Sequence, residues 1–392
     1  MRILMLHPHD IFSPLEPWTI RIVSFAKEFT KLGYKVKLVY FPLEFSTQTK
    51  PQYLNPSLEV IPLRRELGLI NFIKNIIIVN KLAKWAEIIH FQKCFYWASI
   101  PALLASFLNN KPIHYDWDDW ETEIFYECPD SHFLRNLVGR FMRLTENLIP
   151  HLVDTISVSS QALYDLCVKL CIPEEKIYIV SVGADLEKFN PNVSGEEIKK
   201  RFNLRGKVVL YLGQLHSGQY AEQFIYTANE ILKEKKDEEI NFLIVGGGFK
   251  LNHLKELTKK LNLDSRVIFT GPVTHNEVPK FIAASDICIA CFEDNRITRC
   301  KSPLKITEYL ASGKAIVASD VGEVRKMLNG AGILIKPEDI RALKRGINVL
   351  LKDRYLKEDL EKKSRERAER YTWRISAEKI LNAYLKNLSN KS

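Results

Sequence analysis

Twice in this chain, over residues 2–40 and again over 208–245, an apolar run of five or six residues is followed by a longer amphipathic segment and a second apolar run. In the first instance Arg2–Leu6 reads as a strand, residues 19–32 as a helix stopped by Gly33, and Lys35–Tyr40 as a second strand. Strand, helix and strand within so short a span make a right-handed βαβ unit, and such a unit commits the chain to a parallel sheet. Further strands are expected at residues 87–91, 113–117, 155–159 and 177–181. Residues 182–191, with a charged helix to about Phe202, read as a hinge, after which the pattern restarts. Strands at 208–212, 241–245, 267–270, 286–292 and 315–318 end in glycine-bearing or polar loops, where open parallel sheets place ligands. The expected fold is α/β: two doubly wound, Rossmann-like domains facing across a cleft.

At 392 residues the chain exceeds what one core supports, so two domains are the natural division. A hydrophobic share of 46% and a charged share of 27% suit a globular soluble protein. Lys and Arg outnumber Asp and Glu by 57 to 47, a balance that fits an acidic ligand, an anionic membrane surface or nucleic acid. No RNP, zinc-knuckle or helix-turn-helix pattern supports nucleic acid as a partner. The opening strand is too short for a signal-peptide core, and the apolar run 95–108 is too short to cross a bilayer. A cytoplasmic location is the resulting expectation, and seven cysteines, an odd number, suit a reducing compartment. Cys288-Ile-Ala-Cys291 lacks a second ligand pair and reads as strand packing.

The stretch 302–322 is the most informative about function. Ser302-Pro303 leads into a helix carrying Lys305 and Glu308; Gly313 stops it, and an apolar strand follows. A helix N-terminus offers unpaired N–H groups and partial positive charge, so the amides of Leu304, Lys305 and Ile306 suit a phosphate, with Lys305 adding charge. Glu308, one turn on, suits a neutral diol such as a ribose. An ordinary surface helix with a glycine cap would explain Gly313 but not the Pro-Leu-Lys start. In the first half, Tyr115-Asp-Trp-Asp-Asp-Trp-Glu-Thr-Glu123 concentrates negative charge within a basic protein. Asp118 and Asp119 suit sugar hydroxyls, the run also resembles a divalent-metal site, and a solvated loop with N-cap aspartates is the plain alternative. His7, His9 and His216 follow strand ends and are further candidates.

The order of these motifs resembles glycosyltransferase family 4, the retaining group of glycosyltransferase group 1 with the GT-B fold. The residues that carry the resemblance are Tyr211-Leu-Gly-Gln-Leu215, Phe242-Leu-Ile-Val-Gly-Gly-Gly248, Val267-Ile-Phe-Thr-Gly-Pro-Val273, Ala284-Ser-Asp-Ile287 and Ser302-Pro-Leu-Lys-Ile-Thr-Glu-Tyr-Leu-Ala-Ser-Gly-Lys314. The resemblance implies domains at 1–183, acceptor side, and 184–368, nucleotide-sugar side, with a helix over 369–392 crossing back. It implies that Glu308 holds the donor ribose, and that Ser302, Pro303, Leu304 and Lys305 form the diphosphate turn, Lys305 stabilising the leaving group. Val273 would meet the base through its backbone, Gly213 would sit with Gln214 on the donor side, and Gly246, Gly247 and Gly248 would admit the donor closely, although a glycine triplet by itself is more often a tight loop.

Three departures stand out. Cys300 occupies the place of the family's first glutamate, Gln214 and Gln219 stand where two phosphate-binding cations are usual, and Pro14-Leu-Glu-Pro-Trp18 replaces a glycine pair. Arg296, Arg299 and Lys301 are candidates to restore the missing charge. The function so implied is retaining transfer of a sugar from a nucleotide-diphosphate sugar, the co-substrate, to a glycan, glycolipid or polysaccharide precursor. No resident cofactor or metal is expected. The exposed-looking aromatics Phe95-Tyr-Trp97, Trp117 and Trp120 would suit a lipid-linked acceptor and peripheral contact with an anionic inner-membrane face. The alternatives are a non-catalytic homologue that binds a nucleotide or sugar as a partner subunit, and a GT-B epimerase or hydrolase.

Overall fold

The computed structural model describes residues 1–13, 16–46, 49–65, 68–127, 135–216, 218, 220–235 and 238–391. They form two compact units, Met1–Ser181 joined by the segment from Trp373 onward, and Val182–Thr372.

The first unit is built on eight strands: β1 (Arg2–Leu6), β2 (Lys35–Tyr40), β3 (Gln52–Asn55), β4 (Leu58–Pro62), β5 (Ile88–Gln92), β6 (Ile113–Trp117), β7 (Thr155–Val158) and β8 (Ile177–Ile179). Their order is β3-β4-β2-β1-β5-β6-β7-β8, parallel throughout except for β3 on β4. The β3–β4 hairpin was absent from the sequence expectation. Its turn is nonetheless encoded: the Asn55 side chain accepts from the Ser57 N–H at 2.9 Å across Pro56, an Asx turn of the kind that reverses a chain. Every residue of β5 and β6 is buried, as expected of strands covered on both faces. The chain runs from β1 to β2 on one side and resumes at β5 on the other, so the sheet has its switch point between β1 and β5. Right-handed crossovers then put α1 (Ile20–Lys31) on one face, and α2 (Leu69–Trp85), α3 (Tyr96–Asn109) and α5 (Arg135–Leu148) on the other. A short α4 (Glu121–Glu127) precedes α5. The C-terminal helix Trp373–Lys391 closes over α1, where Trp373 meets Phe25 edge-on at 5.6 Å and Tyr384 meets Phe29 at 5.6 Å.

The second unit has six parallel strands: β9 (Lys207–Leu212), β10 (Ile240–Val245), β11 (Val267–Phe269), β12 (Ile287–Ala290), β13 (Ala315–Ser319) and β14 (Ile333–Ile335). Their order, β11-β10-β9-β12-β13-β14, sets the switch point between β9 and β12. Val209, Tyr211, Phe224, Phe242 and Ile289 lie in one continuous core around that junction. The edge strand β14 is only three residues long, too short for an alternation to mark it in the sequence. Cys288 and Cys291, both buried and both free thiols, pack within and just after β12, as the apolar context indicated.

Candidate functional site

In the second unit the chemistry gathers at the carboxyl ends of β9 and β12. Asn295 and Thr298 form a capping box that starts the short helix Arg296–Cys300; Lys301 is extended, and Pro303 (φ −71°, ψ 112°) turns the chain into the helix Leu304–Ala311. Of the three amides expected at this helix start, that of Ile306 is spent, donating to the Pro303 carbonyl at 3.0 Å. Leu304 and Lys305 keep N–H groups that meet no backbone acceptor among the described residues. The Ser302 hydroxyl accepts from the Val182 N–H at 3.3 Å, so its visible part is to anchor the loop.

The Lys305 ammonium lies 4.7 Å from the centre of the Tyr211 ring and 5.3 Å from that of Phe292. Cation–π attraction to residues at the ends of β9 and β12 thus aims the lysine at the switch point. Gly213 makes room for it, since a Cβ there would stand 2.7 Å from Nζ. Burial, with Lys301 adding like charge, lowers the Lys305 pKa to about 8, Cys291 and Glu308 only partly opposing. A desolvated ammonium of this kind gains strongly from an incoming anion.

Glu308 is 3% exposed and accepts from His275 Nε2 at 2.6 Å. Lys188 Nζ sits 3.0 Å from His275 Nδ1 and 3.1 Å from Asn276 Oδ1. An ammonium can only donate, so Nδ1 is the acceptor and Nε2 donates, which orients the Glu308 carboxylate. His275 and Lys188 were not anticipated. The available signal was the polar run Thr274-His275-Asn276 directly after the Gly-Pro-Val loop of β11. Val273 is half-buried in that loop.

The glycines serve close loop packing: a Cβ on Gly246 (φ +137°) would lie 1.9 Å from the Gly213 carbonyl oxygen, and one on Gly247 2.6 Å from the Pro272 ring. Their bareness lets the loops after β9, β10 and β11 pack on each other. Arg299 pairs bidentately with Asp294 at 2.6 and 2.9 Å, both exposed, so in this structure its charge is neutralised locally. Gln214 is half-buried at the end of β9. Gln219, like Pro14 and Leu15, lies outside the described residues. Lys250 Nζ reaches the Gly218 carbonyl at 2.6 Å and Glu222 at 2.7 Å, a cation the sequence reading passed over. Cys300 is buried at 3% exposure. His216 stacks on Phe249 with ring centres 5.4 Å apart.

In the first unit the acidic run separates into three roles. Asp116, fully buried, forms a two-pronged pair with Arg21 at 2.8 Å on each arm and accepts from Ser157 Oγ at 2.5 Å. Burial opposes its ionisation, but Arg21 prevails and holds its pKa at about 2. Asp118, Asp119 and Glu121 converge, one carboxylate oxygen of each lying within 4.8 Å of the others, a spacing compatible with a metal ion. Their positive charge is instead supplied by Lys93, a residue the sequence reading missed. Its ammonium is 3.3 Å from Asp118 and 3.5 Å from Asp119 and bonds Glu121. Gln92 donates to Asp118 at 2.7 Å. Burial works against the Lys93 charge but Asp118, Glu121 and Asp119 outweigh it and raise its pKa well above the ordinary value. One ammonium among three carboxylates leaves excess negative charge, and burial with that repulsion lifts Asp118 and Glu121 to about 7.

A third role belongs to Glu146 on α5. It is fully buried and accepts from the Glu121 and Thr122 N–H groups at 2.8 and 3.0 Å, capping α4, and from Trp117 Nε1 at 3.1 Å. Trp117 is therefore core, and Phe95, Tyr96, Trp97 and Trp120 are at most half-exposed. The aromatics expected to face a membrane do not form an exposed face. Around β1, His7 is buried, and burial drives the His9 pKa to about 4 although Glu16, 2.9 Å away, favours its charge. Arg65 ties the group together, meeting Glu16 at 2.9 Å and His9 at 3.1 Å.

Residues 194–367 match the family model described as glycosyl transferases group 1. The putative teichuronic acid biosynthesis glycosyltransferase TuaH of Bacillus subtilis is 27% identical over 248 residues, 60% of this chain and 58% of that protein. Alpha-monoglucosyldiacylglycerol synthase of Streptococcus pneumoniae is 25% identical over 238 residues, 59% of this chain and 51% of the relative. The chain thus spans little more than half the length of the curated relatives it matches. Among solved structures, sucrose-phosphate synthase of Thermosynechococcus elongatus superposes with a TM-score of 0.74 at 16% identity, covering 100% of both chains. Anabaena HepE in complex with UDP and glucose does so with a TM-score of 0.73 at 17% identity, covering 98% of this chain and 100% of that one. At such identities the likeness establishes the fold, which is GT-B with two Rossmann-like domains.

Proposed function

Starting from the match of residues 194–367 to the model of glycosyl transferases group 1, we propose that the chain is a retaining glycosyltransferase that moves a sugar from a nucleotide-diphosphate donor to a glycan, glycolipid or polysaccharide precursor. The observation that carries this reading is the desolvated Lys305 ammonium at the switch point of the second sheet, which among the described residues has no carboxylate partner and lies beside the Leu304 and Lys305 amides that meet no backbone acceptor. Breaking the bond from sugar to phosphate builds negative charge on the diphosphate while the sugar becomes cationic in character. Preorganised N–H donors and an ammonium in a water-poor setting stabilise that charge as it forms. Glu308, aligned by His275, takes the ribose hydroxyls, and the Val273 backbone lies beside the base. On the first unit, Asp118 and Asp119 take sugar hydroxyls, with Lys93 holding them together. A peripheral seat at an anionic membrane face, reached from the cytoplasm, belongs to the same reading where the acceptor is lipid-linked. Lys305 and the helix amides supply the charge in this scheme, with no resident metal or cofactor assigned a step.

A non-catalytic reading draws on the buried Cys300 and on the locally neutralised Arg299. One experiment separates the two: incubation with a panel of nucleotide sugars, with and without candidate acceptors, reading nucleotide diphosphate release. Release that requires an acceptor is the expected result. Release without one indicates hydrolysis, and binding without release under every condition overturns the transferase reading.

A further inference from the structure

The helices on one face of the first unit are amphipathic the wrong way round, and we propose that this face, formed by α2, α3 and α5, docks on the surface of an anionic lipid bilayer. In α2 the inward positions Asn75, Val79 and Ala83 recur every four residues. The opposite stripe carries Ile70, Ile73 and Ile77 at helical spacing, interleaved with Lys74, Lys81 and Lys84. Ile70 is 71% exposed. In α5 the inward positions are Gly139 and Glu146, while Leu137, Phe141, Leu144 and Leu148 point the other way, Leu137 at 65% exposure. Phe107, near the end of α3, is 83% exposed. These helices are neighbours: the Tyr96 ring of α3 lies 5.7 Å from Phe72 of α2 and 6.3 Å from Phe141 of α5. An apolar surface extending over adjacent helices exceeds the scattered exposure normal for a monomer.

Charge identifies the occupant. Across α2, α3 and α5 there are three lysines and three arginines but one carboxylate, Glu146, which faces inward and caps α4. Arg135 donates to the Phe125 and Tyr126 carbonyls and Arg143 faces Glu123 at 3.7 Å, which leaves Lys74, Lys81, Lys84 and Arg140 exposed on the rim of the apolar stripes. Aliphatic side chains flanked by cations match the two layers of an anionic bilayer surface, acyl chains beneath and phosphates above. A second copy of the chain would set cations against cations, and a polyanion such as nucleic acid would leave the isoleucines in water. No helix among the described residues is long and apolar enough to span a membrane, so the contact is peripheral. This deepens the peripheral-membrane part of the proposed function, and the acceptor class it favours is a lipid-linked one.

The test is flotation of the full chain with vesicles of phosphatidylcholine alone or mixed with phosphatidylglycerol. Sugar transfer to a soluble acceptor analogue is measured in parallel. Binding should require the anionic lipid and weaken in high salt. The triple variant Ile70→Ser/Ile73→Ser/Ile77→Ser should lower partitioning about tenfold or more, and each of Lys74→Gln, Lys81→Gln and Lys84→Gln about fivefold, all with soluble transfer unchanged. These sites are exposed, so the variants retain the fold. Absent binding to the mixed vesicles, equal binding to both compositions, or undiminished binding by the variants overturns the proposal. So does a dimer in sedimentation that the isoleucine variant dissolves. Vesicle binding without sugar transfer would sink the transferase reading and leave this surface standing.

Discussion

At the scale of single residues, Lys305, Glu308 and His275 have separable effects. If Glu308 holds the donor ribose as proposed, Glu308→Gln and His275→Ala should both loosen that grip and raise the donor KM roughly tenfold, about 1.4 kcal/mol, with a smaller effect on kcat. Lys305→Ala should depress kcat itself, because its charge matters most as the leaving group forms. An unchanged KM in His275→Ala, measured alongside an intact fold, would refute the alignment role. Lys305 also predicts a pH limb. With a pKa near 8 in the free protein, it loses its proton as pH rises through 8, and kcat/KM for the donor should fall there. Lys305→Arg should move that limb above the accessible range; a limb that stays in place assigns the titration to another group. Lys305 and Glu308 were legible as candidates because a Pro-Leu-Lys helix start is a local pattern. Lys93 and His275 were not, since each is a lone polar residue in a strand-end loop, given meaning only by the carboxylates the fold brings to it.

At the scale of elements, loop packing rather than strand composition sets the geometry of the second unit. The strand-to-loop transitions after β9, β10 and β11 touch through glycines, with the Gly246 N–H donating to the Gly271 carbonyl at 3.1 Å. Gly246→Ala would drive a methyl into the Gly213 carbonyl oxygen and impose strain at φ +137°. We expect a loss of about 2 kcal/mol or more in denaturant unfolding, together with weaker donor binding because Gly213 borders Lys305. A variant of wild-type stability would show that these loops tolerate rearrangement. The sequence marks this triplet for donor approach or for a tight loop alike: a glycine run signals close approach without saying what approaches. The reversed amphipathicity of α2 was similarly present in the letters. A helical stripe of isoleucines is ordinarily read as the buried face, and only the packing of Asn75, Val79 and Ala83 inward shows which way the helix is turned.

At the scale of the whole molecule, buried ionisable groups of the first unit make stability depend on pH in two opposed ways. Asp116, held near 2 against an ordinary 3.8, contributes stability above pH 4, on the order of 2 kcal/mol, that disappears as pH falls through 2. Asp118, Glu121 and Glu146, held near 7, act in reverse. The folded state keeps protons that the unfolded chain has released, so their contribution is complete below about pH 4 and is lost as pH climbs to 7. Denaturant unfolding followed through Trp117, which bonds Glu146, should therefore be most cooperative and most resistant near pH 4 to 5. A monotonic rise in stability from pH 4 to 8 would contradict the account.

What the sequence determined by itself is what local rules govern. The alternation of apolar runs, amphipathic segments and glycines specified two parallel α/β halves, and the Pro-Leu-Lys start with Glu308 one turn on marked the helix proposed to hold the anion. Only the tertiary structure decided which charges meet. It paired Asp116 with Arg21 across 95 positions of sequence, set Lys93 among three carboxylates, tied Arg299 to Asp294, and turned the isoleucines of α2 toward solvent. The physical reason is that hydrogen-bonded helix and strand periods act over a few residues, whereas burial and Coulomb partners are set by strand order, which places the ends of β1, β5 and β6 side by side.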